Sequence, residues 1–313
     1  MLNFIIKRLL TSILVIIGVT IVIFSLVHMA PGDPVQMMAG LDAKEEDIEA
    51  LRAKMGMDKP LIVQYFNDVK GLLHLDLGKS IITNKNISDE IFFRFRNTAE
   101  LAVAGMLISS VFGIIIGIIA AVNRDRWLDK TLMSLSITGI SMPSFLLALL
   151  LMLLLVSQWH LLPASGREGS PFTAEGFKYI ILPALTLGIS GTASIARLTR
   201  SSVVAVLNEE FVMTLKAKGL RRKMILFKHI LRNASLPILT MIGLDFGYLL
   251  GGAVVTETIF AWPGIGKYAM DAISQNDFPA VQGSVLILSM MFMLINLVVD
   301  LLYGVLDPRV SLE

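Results

Sequence analysis

Six long stretches almost free of charge dominate this sequence, and they restrict it to a membrane. They cover residues 9–27, 101–122, 131–158, 179–196, 234–256 and 278–299, and the one Asp, Glu, Lys or Arg inside any of them is Asp245. A helix rising 1.5 Å per residue needs about 20 residues to cross a hydrocarbon core about 30 Å thick. The stretches have that length, whereas barrel strands would alternate apolar and polar over about 10 residues. Composition agrees: 55% of residues are apolar and 17% charged, against about 45–50% and about 25% in a soluble domain. The expected fold class is therefore an all-α integral membrane protein with six transmembrane helices. The fourth stretch is the shortest and most marginal. The third contains Pro143 within Ser141-Met142-Pro143-Ser144, which predicts a kink.

Lys7 and Arg8 before the first stretch resemble the start of a signal peptide. The apolar run is longer than a signal core and no small-residue cleavage pattern follows, so an uncleaved anchor is expected. Orientation follows from basic residues in the short connections. Arg124, Arg126 and Lys130 lie between the second and third stretches. Nine more, from Arg197 to Arg232, lie between the fourth and fifth. The opposite side offers Arg167, Lys178 and Lys267. Both termini are expected to be cytoplasmic. The remaining segment, residues 31–98, holds nine basic and eleven acidic residues, and it is too long for the rule to weigh.

That outward segment predicts two helices. Asp42 with Glu45 forms a capping pattern for a helix over 43–55 that ends at Gly56. A second helix starts at Pro60 and carries Leu61, Tyr65, Val69, Leu72 and Leu73 on one face. With Ile91, Phe92 and Phe95 these residues cap the chain's own bundle or rest on the membrane surface. The inward segment 201–236 is too polar to span. Val203, Val206 and Leu207 suit one amphipathic helix and Ile225, Phe227, Ile230 and Leu231 another, with a break at Gly219. Its interleaved basic residues fit either anionic lipid headgroups or a partner surface.

Enzymatic chemistry finds no residue set. There are no cysteines and four scattered histidines (His28, His74, His160, His229), and no His-Glu-x-x-His occurs, so no metal site is expected. Gly78-Lys79-Ser80 ends like a phosphate loop, but Leu73 stands where the loop needs glycine. Gly188-Ile189-Ser190-Gly191 resembles an intramembrane serine-protease motif, yet no histidine lies in a later span to act as base. The small residues Gly188, Ser190, Gly191, Ala193 and Ser194 instead suit close helix packing, as do Gly113 and Gly117. Net charge of +2 gives no reason to expect a nucleic-acid partner.

Gly243, Gly247 and Gly251 recur at four-residue spacing and predict a packing face on the fifth span, directed at a partner helix. Asp245 lies near the midplane of that span, where an unpartnered carboxylate costs about 3 kcal/mol or more. At 100° per residue it sits roughly 160–200° from Gly243 and Gly247. A polar interior or a structural hydrogen bond both satisfy it; the interior is the expectation taken forward. Asn296 has a weaker claim, as interhelical glue.

One stretch carries a family resemblance. Val212-Met213-Thr214-Leu215-Lys216-Ala217-Lys218-Gly219-Leu220, followed by Lys228-His229-Ile230-Leu231-Arg232-Asn233-Ala234-Ser235-Leu236-Pro237, resembles the cytoplasmic coupling motif of ATP-binding-cassette importer permeases of the dipeptide, oligopeptide, glutathione and nickel group. Ala30-Pro31-Gly32-Asp33-Pro34-Val35, Gly252-Ala253-Val254-Val255-Thr256-Glu257, Phe260-Ala261-Trp262-Pro263-Gly264-Ile265-Gly266, Asp300-Leu301-Leu302-Tyr303 and Asp307-Pro308-Arg309 resemble the same group, in order along nearly the whole chain. The general motif opens with Glu-Ala-Ala, where this chain has Met213, Thr214 and Leu215. That departure weakens the idea of an ionic contact at the first position.

The resemblance implies a type I ABC importer permease fold in the cell inner membrane. It divides the chain into an N-terminal transmembrane helix (1–30), an extracytoplasmic helical segment (31–98) and a five-helix core (99–309) whose segment 201–236 couples to ATPases. It assigns Met213, Thr214, Leu215, Lys216, Ala217, Gly219 and Leu220 to that coupling. It also implies as partners a second homologous permease, two cytoplasmic ABC ATPases carrying ATP and Mg, and an extracytoplasmic substrate-binding protein. The chain itself needs no cofactor. Short peptides are the expected substrate, with glutathione second and nickel third. A stand-alone secondary transporter is the alternative from another class.

Overall fold

The computed structural model describes residues 2–29, 35–36 and 44–306. Helices make up nearly all of this, and among the described residues extended pairing is confined to one bridge, between Lys79 and Asn86. The helices are α1 (Leu2–Met29), α2 (Glu45–Met55), α3 (Leu61–Leu73), α4 (Ile87–Val122), α5 (Trp127–Ser141) and α6 (Ser144–Leu151), the last continuing as a π-helical turn, Met152–Gln158. They are followed by α7 (Ala174–Leu207), α8 (Glu210–Ala217), α9 (Leu231–Ile259), α10 (Ile265–Ser274) and α11 (Phe278–Leu306). A short turn, Arg222–Met224, and a π-helical turn, Ile225–Ile230, lead into α9. The sequence motifs at residues 30–34 and 307–309, and the proposed cap at Asp42, lie outside the described residues.

Five helices are long and apolar enough to cross a membrane: Ile6–Leu26, Ile87–Val122, Ala174–Leu207, Arg222–Ile259 and Phe278–Val299. The expected third span is a bent pair instead. Trp127–Ser141 and Ser144–Gln158 meet at 107°, far beyond an ordinary proline kink. Met142 is extended (φ −83°, ψ 125°) because the ring of Pro143 disfavours helical backbone in the residue before it. Pro143 then serves as N-cap of α6, where its missing N–H is harmless.

The chain forms two compact units. The first consists of Ala99–Trp262, the described residues from Phe292 onward and the N-terminal tip of α1. Its centre is α7, which packs chiefly on α9 and α5. α7 is capped by Thr173, whose hydroxyl accepts the Gly176 N–H at 3.2 Å. The marginal apolarity of the fourth stretch now has a cause. In its most apolar window α7 is 61% buried, against 17–33% for the other four. A helix surrounded by helices does not need a lipid-facing surface, so it carries small and polar residues instead. Gly188 packs against Ile108 and the Gly105 carbonyl, while Gly113 and Gly117 of α4 pack against Ile195 and Thr199 of α7. An added Cβ at Gly117 would lie 2.5 Å from that of Thr199 and 2.7 Å from the Ala196 carbonyl oxygen.

In this unit an outer loop is tied down by Arg167. Its guanidinium bonds Glu100 at 2.7 Å and lies 5.6 Å from the Trp262 ring centroid, while Gly166 N–H donates to the Phe260 carbonyl at 2.8 Å. Phe260 and Trp262 are both fully buried. Their place in the family-like motif is therefore a packing role.

The second unit consists of the described residues of Lys7–Thr98 together with Pro263–Met291. α2 ends at Gly56 in the left-handed region (φ +69°), and Pro60 caps α3. Tyr65, Val69 and Leu72 of α3 meet Thr20, Ile23 and Phe24 of α1, so this part of the predicted face caps the chain's own helices. Leu61 and Leu73 stay exposed. Burial beside this contact raises the Asp68 carboxyl above its usual range, although the Gln282 amide donates to it and His28 opposes the shift. Ser80, the last residue of the phosphate-loop look-alike, is buried and donates to Asp277 at 2.5 Å; Asp277 also accepts from Ile81 N–H at 3.1 Å.

Candidate coupling element and translocation groove

Residues 208–231 form a helical hairpin mounted on a buried apolar base. Val212, Ile225 and Ile230 join Ala121, Val203, Val206, Ala234 and Ile238 in one cluster, with Leu215 and Leu220 packed at its edge. The two predicted amphipathic faces are thereby explained, except that Phe227 is exposed. Between these anchors α8 presents Met213, Thr214, Lys216 and Ala217 outward, with Met213 69% exposed.

The hairpin turns at Gly219, which lies in the left-handed region at φ +75°. Gly219 N–H donates to the Lys216 carbonyl (3.0 Å) and Leu220 N–H to the Leu215 carbonyl (3.3 Å), which satisfies the end of α8. An added Cβ at Gly219 would meet nothing within 4 Å. Glycine is needed there for its backbone angle alone.

Asp245 projects from α9 toward α4 and α7. Its carboxylate is buried (8% exposed), accepts from Ser109 of α4 at 3.0 Å and presses against Gly191 of α7. The geometric half of the expectation holds: Asp245 faces α4 and α7, while Gly243 and Gly247 face another way. In this arrangement α4 and α7 cover the carboxylate and Ser109 bonds it, as the structural hydrogen bond that the sequence also allowed would require. An Asp245→Cys variant in this cysteine-free chain is expected to resist water-soluble thiol reagents in the resting complex, and labelling would place residue 245 on a water path.

The glycine stripe divides as well. An added Cβ at Gly243 would strike Val299, and one at Gly247 would lie 3.1 Å from the Phe292 ring and 3.3 Å from Asn296, all on α11. These two glycines admit a helix of their own chain, which corrects the expectation that they face a partner permease. Gly251 is exposed with nothing within 4 Å.

Two features of this unit escaped the sequence reading. Asp129 is buried and holds Arg200 through two bonds of 2.6 Å, while accepting the Asp125 N–H at 2.9 Å. Beside it lies a groove of about 520 Å³, lined on α7 by Ser194, Arg197, Leu198, Arg200 and Ser201 and flanked by Met133 of α5 and Met241 of α9. Positions 194, 197, 198 and 201 follow helical spacing and so form one stripe. That pattern was visible in the sequence, but Arg197 was counted there only as an inward-side charge. Among the described residues no group of three or more His, Asp or Glu could hold a metal.

Comparisons with known proteins agree along the chain. Residues 113–312 match the family described as "Binding-protein-dependent transport system inner membrane component", and residues 1–102 match its N-terminal companion. The chain is 42% identical over 310 residues to the Glutathione transport system permease protein GsiC of Salmonella choleraesuis (strain SC-B67), covering 99% of each. It is also 42% identical over 335 residues to the Dipeptide transport system permease protein DppB of Escherichia coli (strain K12), again covering 99% of each. Among solved structures, an inward-facing MetNI methionine ABC transporter chain aligns with a TM-score of 0.57 at 15% identity, over 69% of this chain and 96% of that one, which supports the shared fold. The chain therefore belongs to the inner-membrane components of binding-protein-dependent transport systems, as a multi-pass permease subunit of an ATP-driven importer and not an enzyme.

Proposed function

We propose that this permease moves short peptides inward and works with a second homologous permease, two cytoplasmic ATPases that carry ATP and Mg, and an extracytoplasmic binding protein. Both termini then lie in the cytoplasm. The carrying observation is the hairpin around Gly219, an exposed element rigidly seated on buried Val212, Ile225 and Ile230. Rigid seating lets a force applied to α8 reach α4, α7 and α9 as a unit, as alternating access between packed bundles requires. Met213, Thr214, Leu215, Lys216, Ala217, Gly219 and Leu220 form the ATPase contact in this scheme, with Met213 making an apolar contact. Gly251 is the remaining position on α9 at which a partner helix can approach closely.

Peptides are favoured because full-length relatives are named for dipeptide and glutathione transport, and glutathione is itself a short peptide. The test is uptake by the reconstituted complex in vesicles. A labelled dipeptide is expected to enter only with ATP and the binding protein present, with glutathione competing weakly. Uptake of glutathione or nickel but no dipeptide would reassign the substrate. Uptake driven by an ion gradient without ATPases would replace the scheme with secondary transport.

A further inference from the structure

We propose that the groove on α7 receives the terminal carboxylate of the transported peptide, with Arg197 as its ionic contact. This rests on the peptide reading above and extends it to a binding residue. Arg197 is exposed in the groove and makes no hydrogen bond or ion pair among the described residues. Its neighbour Arg200, three positions on, is held bidentately by Asp129. The chain thus neutralises one of two adjacent arginines and leaves the other's planar donor fork open, and that fork matches a carboxylate.

The surroundings fit a small, variable ligand. About 520 Å³ lies within the range of roughly 300–1,000 Å³ common for small-molecule sites. Met133 and Met241 form the flanking walls, and methionine adapts to differing apolar shapes. Side chains of a passing peptide vary, whereas its carboxylate does not. The stripe also belongs to the most buried of the candidate spans, and Met133 of α5 and Met241 of α9 wall the groove onto which it opens. Charge complementarity selects the occupant: dipeptides and glutathione, the compounds named for the relatives, end in carboxylates. Asp245, the only acid in the predicted spans, is buried and already bonded.

The experiment uses the full complex in vesicles, with two readouts. In the first, uptake of a dipeptide is compared with uptake of the same dipeptide amidated at its C-terminus. Arg197→Gln is expected to lower the carboxylate-to-amide uptake ratio about tenfold, the scale of one charged hydrogen-bond pair, and Arg197→Lys is expected to recover part of it. In the second, Ser194→Cys and Ser201→Cys are treated with anionic and cationic methanethiosulfonates of equal size. The anionic reagent is expected to react faster, and Arg197→Gln is expected to remove the preference. An unchanged uptake ratio overturns the inference. So does absence of labelling in every nucleotide state, which would mean the groove is covered by the second permease. Labelling seen only in vesicles lacking anionic lipid would assign the groove to a headgroup phosphate and overturns it too. Wild-type vesicles that take up neither dipeptide remove the peptide reading itself, and the inference falls with it.

Discussion

Gly219→Pro is expected to leave the complex assembled in the membrane while reducing ATP-driven uptake at least tenfold. Proline holds φ near −65°, whereas residue 219 sits at +75°, so the turn after α8 cannot form as it stands. The substitution also removes the N–H that closes α8 onto Lys216 at 3.0 Å. The apolar base beneath, from Ala121 to Ile238, contains no atom of Gly219, so the membrane bundle should fold. Gly219→Ala is the graded control. Its Cβ has open space around it, and left-handed backbone costs an alanine about 1–2 kcal/mol, so partial coupling should remain. The checks are uptake and substrate-stimulated ATPase rate, each normalised to the complex recovered. Full activity in the proline variant would remove residues 213–220 from the ATPase contact.

Gly117→Leu should have the opposite signature: little folded complex recovered, at roughly a tenth of the wild-type amount or less. Here the glycine is needed for space. Its Cβ position is 2.5 Å from the Thr199 Cβ and 2.7 Å from the Ala196 carbonyl, and these are backbone-proximal atoms that cannot swing aside. Separating α4 from α7 would also strain the adjoining contacts at Gly113 and the Ser109–Asp245 bond. In a bilayer the lipid tails are as apolar as leucine, so close packing is what holds the helices together. Gly18→Leu on α1 is the matched control in this respect, since an added Cβ at that position would meet nothing within 4 Å. Detergent-solubilised yield and thermal stability distinguish the two. Equal yields for Gly117→Leu and wild type would mean that α4 and α7 do not approach as closely as the structure has them.

Much of the protein was legible because a membrane imposes one-dimensional rules. A run of about 20 apolar residues must become a helix, since its backbone groups have no other partners in hydrocarbon. Five of the six predicted stretches accordingly lie within single helices, and the third is divided between two at Pro143. The stop at Gly56, the start after Pro60 and the break at Gly219 were legible for a similarly local reason: proline and glycine set backbone angles without help from distant residues. The ordered motifs from Val212 to Pro237 likewise led to the family, because a resemblance needs only the residues in order.

Tertiary structure decided which face of each helix meets what. Helical spacing set Asp245 and the glycine pair at 243 and 247 on different sides of α9, and the structure keeps them so. Spacing could not say that α4 and α7 cover the aspartate, or that α11 of the same chain covers the glycines. Nor could it tell Arg197 from Arg200, two basic residues one turn apart, until Asp129, 71 residues before Arg200, was seen to claim only the latter. The bend of 107° at Pro143 shows the same division. The proline and its extended neighbour make a break inevitable, but its angle depends on where α6 finds apolar surface, through Ala148 packed against Leu182 and Phe260. The sequence by itself determined where helices run and where they stop, because those choices rest on local backbone chemistry and on the solvent. Which charge is bonded and which stays open to a ligand depended on contacts between residues far apart in the chain, and only the folded chain brings those together.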